Sequence, residues 1–83
     1  VLKDLLKNYY NEIGNSDAAL VVNMTKNGID NYVGGNALIE MVFAHVLDKN
    51  IYLLNSVPLM SYKDEIDAMN PMILNSDFTK ILK

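Results

Sequence analysis

Leu2, Leu5, Leu6, Tyr9 and Ile13 recur at helical spacing, with Lys3, Asp4, Lys7, Asn8 and Asn11 between them, so residues 1 to 13 read as an amphipathic helix. Gly14 supplies a stop, and Asn15-Ser16-Asp17 is turn chemistry. Ala18-Ala19-Leu20-Val21-Val22 is an unbroken apolar run of strand length, the pattern of a parallel strand covered on both faces. Asn23 to Asn31 is polar and holds Asn27-Gly28. Because its flanks do not alternate, it reads as a loop leaving the carboxyl end of that strand rather than as a hairpin.

Gly34-Gly35-Asn36 opens the next segment, Ala37 to Leu47, in which nine of eleven residues are apolar and the exceptions are Glu40 and His45. A helix this apolar all round is expected to be covered on several sides. Asp48-Lys49-Asn50 ends it, Ile51 to Leu54 makes a second buried strand, and Asn55 to Met60 forms a proline-containing loop. Ser61, with Asp64 three residues on, resembles an N-cap with an acidic first turn and starts a short helix through about Met69. Asn70-Pro71 breaks it, Met72-Ile73-Leu74 is a third short strand, and Asp77 to Leu82 forms a last helical turn.

Strands alternating with helices imply an α/β fold with a parallel sheet and right-handed crossovers, hence a doubly wound, flavodoxin-like three-layer sandwich. Three parallel strands alone leave two open edges and little core. The reading is therefore of a fragment that lacks its N-terminal strand, completed by that strand, by a partner subunit, or by both. With 83 residues the chain suits a single domain, residues 1–83, that buries roughly 60–65% of its unfolded surface.

Composition narrows the chemistry. Apolar residues make up 51% and charged residues 20% of the chain, which is ordinary for a packed domain. No apolar run approaches the roughly 20 residues that span a bilayer, and no secretory leader pattern appears, so a cytoplasmic protein without membrane contact is expected. Cysteine is absent, which removes disulfides, thiolate metal sites and a cysteine nucleophile. All seven basic residues are lysines and the net charge is −3, so a nucleic acid polymer is not an expected partner.

In open α/β sheets, ligands bind beyond the carboxyl ends of the strands, beside the N-termini of the helices that follow. The segment from Asn23 to Asn36 occupies that place, and two glycines let the backbone approach a ligand closely. Glu40 follows in the first or second turn of an apolar helix, where a carboxylate is costly to bury without a partner. One reading has the helix dipole and amides keeping Glu40 ionised at the bottom of a cleft, as a nucleophile or base. The other has a buried glutamate bonded to backbone amides or to a lysine, holding the loop together. Helical spacing turns His45 roughly 140° away from Glu40, so the two do not pair and His45 reads as a core or interface residue. No ligand cluster for a metal appears, and Met41, Met60, Met69 and Met72 read as packing.

Glu40-Met41-Val42-Phe43-Ala44, followed by Lys49-Asn50-Ile51, resembles the helix-to-strand passage of nucleoside 2-deoxyribosyltransferases and the related deoxynucleotide N-hydrolases. The resemblance extends back through Gly34-Gly35-Asn36, like the family's glycine-rich approach, to Ser16-Asp17-Ala18, like the start of its preceding strand, and is closest to relatives whose turn reads Gly-Gly-Asn. It implies a flavodoxin-like fold, an active site shared between subunits of a homo-oligomer, and cleavage of an N-glycosidic bond. Glu40 would attack the anomeric carbon, giving a glycosyl-enzyme intermediate resolved by water or a second base, without a cofactor. The chain departs from the family at Gly34, where an aspartate often handles the base, and at Val42 and Asp48, where glycines are usual.

Two functions follow as expectations. The first is cleavage or transfer at a nucleoside or nucleotide N-glycosidic bond, with Glu40 as nucleophile and Asn23, Tyr32, Gly34, Gly35 and Asn36 lining the site. The second is a non-catalytic nucleotide-binding or oligomerisation module of the same fold.

Overall fold

The computed structural model describes residues 2–77 and residue 79. Its elements alternate as α1 (Leu2–Gly14), β1 (Ala18–Val21), α2 (Gly35–Val46), β2 (Asn50–Leu53), α3 (Lys63–Ala68) and β3 (Met72–Ile73). The three strands form one sheet in the order β1-β2-β3, with both pairings parallel. The order and type of elements expected from periodicity are thus present, and the α/β class with a parallel sheet holds. The last turn expected over Asp77 to Leu82 lies largely outside the described residues.

The register explains where the core sits. Ala19 pairs with Ile51, and Val21 with Leu53, which pairs in turn with Ile73; these side chains share one face because successive residues of a strand alternate. Against that face Ile13 of α1, Met41 and Ala44 of α2 and Ile66 of α3 join Ala19, Val21, Ile51 and Leu53 in one buried cluster. All three helices therefore feed the same side of the sheet. Tyr10 of α1 also meets Phe43 of α2 edge to face, with ring centroids 5.5 Å apart, a geometry in which the ring edge meets the negative π face.

The other face corrects the expectation of strands covered on both sides. Leu20, Tyr52 and Met72 stand opposite one another across the three strands, yet Leu20 is 44% and Met72 52% exposed. An unbroken apolar run gives each face a hydrophobic row, but the described helices cover only one. Among the described residues the molecule is two layers, a sheet and a set of helices. Met72, expected to pack, lies on this open face, whereas Met41 and Met69 are buried.

Turn chemistry accounts for the ends of the elements. Asn27 and Gly28 both have positive φ, 54° and 75°, and Lys26 and Ile29 exchange two backbone hydrogen bonds of 3.1 and 3.0 Å. This is a two-residue hairpin inside the segment read as an open loop, with Asn-Gly in the turn that tolerates left-handed backbone best. Ser61 does not cap α3. The helix starts after Tyr62, which makes no side-chain cap bond, because Lys63 already donates its amide to the Met60 carbonyl, placing Ser61 inside a turn.

α2 closes on Asp48, whose φ is 57°. Lys49 and Asp48 return their amides to the carbonyls of Ala44 and His45 at 2.8 and 3.2 Å, the paired bonds of a Schellman ending. A non-glycine residue here carries left-handed strain, and a carboxylate also sits at the negative end of the helix dipole. Asp48→Gly is expected to stabilise the fold by about 0.5–1 kcal/mol, relief of strain exceeding the entropy lost by glycine. Thermal denaturation reads this as a Tm rise of a few degrees; a fall would mean that the Asp48 carboxylate holds a contact worth more than the strain.

Candidate functional site

One buried amide ties the exits of β1 and β2. Asn23, two residues beyond β1, is fully buried. Its Nδ2 lies 3.2, 3.0 and 3.2 Å from the carbonyl oxygens of Asn31, Asn55 and Ser56, while its Oδ1 accepts the Asn55 amide at 2.8 Å. Asn55 answers by donating its Nδ2 to the Asn23 carbonyl at 3.0 Å and accepting the Ser76 hydroxyl at 2.9 Å. With two N–H groups shared among three carbonyls, Asn23 has its donors fully committed inside the protein, and its Oδ1 holds the Asn55 amide. Its place is at the mouth of the sheet, and its part there is to position the loops.

Between these loops lies a hollow of about 440 Å³ lined by residues from Gly28 to Asn31 on one side and from Val57 to Leu59 on the other. It stands at the carboxyl edge of the sheet, where ligands of open α/β proteins bind, and its size is that of small-molecule pockets. Asp30, Asn31 and the Val57-Pro58-Leu59 wall were not singled out by the sequence. The available signal was the pairing of two loops at adjacent strand ends, one carrying Asn-Gly and the other proline.

The residues singled out by sequence gather around the start of α2. Gly34 is the N-cap, with extended backbone at φ −75° and no side-chain cap bond. Gly35 and Asn36 are exposed, whereas Tyr32 and Gly34 are half-buried. Neither glycine is required by the fold: a Cβ on Gly34 would meet Tyr32 at an ordinary 3.6 Å, and one on Gly35 would meet nothing within 4 Å. The Tyr62 hydroxyl donates to the carbonyl of the buried Val33. Burial, and then the neighbouring Tyr32, push the Tyr62 phenol above the usual tyrosine range.

Glu40 stands in the second turn of α2, half-buried, and among the described residues it forms neither a hydrogen bond nor an ion pair. Burial first, and then the Glu12 carboxylate of α1, raise its carboxyl above the ordinary glutamate value. The shift runs opposite to what helix amides bonded to a carboxylate would produce, so the expected stabilisation of the ionised form by amides is not found. The anchoring amides or lysine of the other reading are not found among the described residues either.

His45 is exposed and lines a second hollow of about 400 Å³ at the opposite, amino-terminal edge of the sheet, with Asp48, Lys49 and Asn70. It is thus not a core histidine, and it lies near the carboxyl end of α2, away from the mouth of the sheet. No cluster of metal-ligating side chains occurs among the described residues, and no helix among them is long and apolar enough to cross a membrane.

Set against protein-family models, curated proteins and solved structures, the chain matches none of them. What the fold and site define is a class: a parallel α/β unit with a ligand-sized hollow where its strands end and, on the helix that follows β1, a carboxyl unpaired among the described residues; Glu40, Tyr32, Gly34, Gly35 and Asn36 are not among the residues that line the hollow.

Proposed function

We propose that the chain is part of a nucleoside 2-deoxyribosyltransferase-like domain that cleaves or transfers at the N-glycosidic bond of a nucleoside or nucleotide, with Glu40 as nucleophile. The observation that carries the reading is the half-buried Glu40 carboxyl, unpaired among the described residues and raised by burial. Such a group destabilises the folded state when ionised and gains no compensating bond, which is how reactive groups rather than structural ones are placed. Gly34 and Gly35 support it, since neither backbone strain nor crowding demands glycine at either position, and close approach of a ligand would.

In this reading Glu40 attacks the anomeric carbon as the bond to the base breaks. The base departs with the bonding electrons and takes up a proton, and water or a second base then displaces the glutamyl ester. The finer features belong to the same proposal: a flavodoxin-like three-layer sandwich whose second helical layer covers the row of Leu20, Tyr52 and Met72, assembly as a homo-oligomer, a cytoplasmic location, and no cofactor. Tyr32 and Asn36 line the sugar side of the site, and Asn23 positions its walls.

The test is release of free base from 2′-deoxynucleosides by the wild-type chain and by Glu40→Gln. The proposal expects release by the wild type and loss in the variant; equal release by both would sink it. Gly35→Ala is expected to keep or slightly raise Tm, because alanine is the better helix former by up to about 1 kcal/mol, while lowering turnover.

A second reading, a non-catalytic nucleotide-binding or assembly module, is favoured by the apolar surface. Besides the open sheet face, a groove of about 320 Å³ lined by Leu6, Leu38, Ile39, Val42 and Phe43 runs between α1 and α2, and contiguous apolar patches of this kind mark contact surfaces. Sedimentation with and without nucleosides separates the two, because a pure assembly module gives oligomers with no response to ligand.

A further inference from the structure

We propose that the hollow at the mouth of the sheet seats a planar heteroaromatic ring, with Asp30 accepting N–H groups from the ring's edge. The inference rests on the nucleoside reading above and deepens it by assigning the base to a hollow whose lining does not include Glu40 or residues 32–36.

Both walls of the hollow hang from one buried group. The Asn23 amide lies within hydrogen-bond distance of the carbonyl of Asn31 on one wall and of Asn55 and Ser56 at the root of the other. The first wall is held further by the Lys26–Ile29 hairpin and by left-handed backbone at Asn27, Gly28 and Asn31. The second contains the buried Pro58, whose ring fixes its own φ. A site built this way is set before a ligand arrives, which reduces the ordering entropy lost on binding.

The lining suits a flat ring with one polar edge. Ile29, Val57, Pro58 and Leu59 supply apolar surface, and Leu59 is 83% exposed at the rim. A large aliphatic side chain held that far into water gains by being covered. Asp30 gives the hollow a carboxylate, one of whose oxygens accepts the Thr25 hydroxyl at 3.3 Å. An ionised carboxylate only accepts hydrogen bonds, so it selects a ring edge that presents donors. The best match is an edge with a ring N–H beside an exocyclic amine, as on guanine; an edge with a single N–H between two carbonyls, as on thymine, sets acceptors against the carboxylate.

The test is titration of the chain with 2′-deoxyguanosine, 2′-deoxyinosine and thymidine, followed by backbone amide shifts. The expected result is that shifts concentrate at Gly28 to Asn31 and at Val57 and Leu59, with deoxyguanosine binding about tenfold tighter than thymidine and deoxyinosine between them. Asp30→Asn should erase that preference, and Leu59→Ser should weaken all three ligands; both residues are exposed, so the fold is expected to survive. Shifts elsewhere, no binding, or an unchanged preference in Asp30→Asn would each overturn the inference. Binding at the hollow without base release by the wild type would leave it standing and remove Glu40 as nucleophile. Base release with Asp30→Asn unaltered in KM would do the reverse.

Discussion

Asn23→Ala is expected to lower stability by about 2–4 kcal/mol, the range for stripping partners from several buried polar groups at once. The substitution leaves the Asn55 amide without its acceptor and removes the donor shared by the carbonyls of Asn31, Asn55 and Ser56. For a domain of this size that corresponds to a Tm drop of roughly 10–25 °C, read by circular dichroism. Asn23→Asp separates hydrogen bonding from side-chain volume. The new carboxylate still accepts the Asn55 amide, but its other oxygen faces carbonyl oxygens, so its folded-state pKa is raised. Stability is then highest below the unfolded carboxylate value and is lost as pH rises through the folded one. A loss from Asn23→Ala of no more than a degree or two would show that the loops are held by something other than this amide.

Glu40→Gln should act on activity and stability with opposite signs. If Glu40 is the nucleophile proposed above, its removal is expected to reduce base release at least ~10³-fold, the lower reach of losses when a catalytic group is deleted. The folded-state carboxyl is raised by burial and by Glu12, so its linked stability is fully present below the unfolded value and lost as pH rises through the folded one. At pH 7 the ionised group is therefore a net cost. Its partial exposure limits that cost to the scale of surface charge interactions, about 0.2–1 kcal/mol. Glu40→Gln is expected to raise Tm by a few degrees at most at pH 7 and by less below pH ~4, where both states are protonated. In the wild type, kcat/KM should rise with pH along an acid limb set above the usual glutamate value. A variant that loses stability at pH 7 would indicate a glutamate anchored by a structural bond, the reading that competes with catalysis.

The order of elements was legible because each has a local cause. Leu5, Leu6, Tyr9 and Ile13 carry the helical period, Gly14 and Asn70-Pro71 break it, and the apolar runs around Leu20 and Leu53 are too short for helices. The misreadings fall where local pattern meets tertiary context. Ser61 has the chemistry of a cap, yet the chain turns through it; Asn27-Gly28 closes a hairpin too short to show alternation. His45 interrupts an apolar helix and still points to solvent, because α2 lies on the sheet with one face only. The position of Asp48 proves to be left-handed, a requirement that periodicity does not display.

By itself the sequence determined the α/β alternation, the parallel sheet, and the gathering of Tyr32, Gly34, Gly35 and Asn36 at the head of the helix that carries Glu40. The alternation and the head of α2 depend on residues a few positions apart, and the parallel sheet was legible only indirectly, from short apolar runs separated by helical segments. Only the tertiary structure decided that Asn23 and Asn55, which are 32 positions apart, lock the strand exits. It alone set Asp30 and Leu59 across one hollow and left Leu20, Tyr52 and Met72 as a single uncovered row. Those outcomes depend on register and on which face each helix covers, and a one-residue slip of a strand would exchange its two faces.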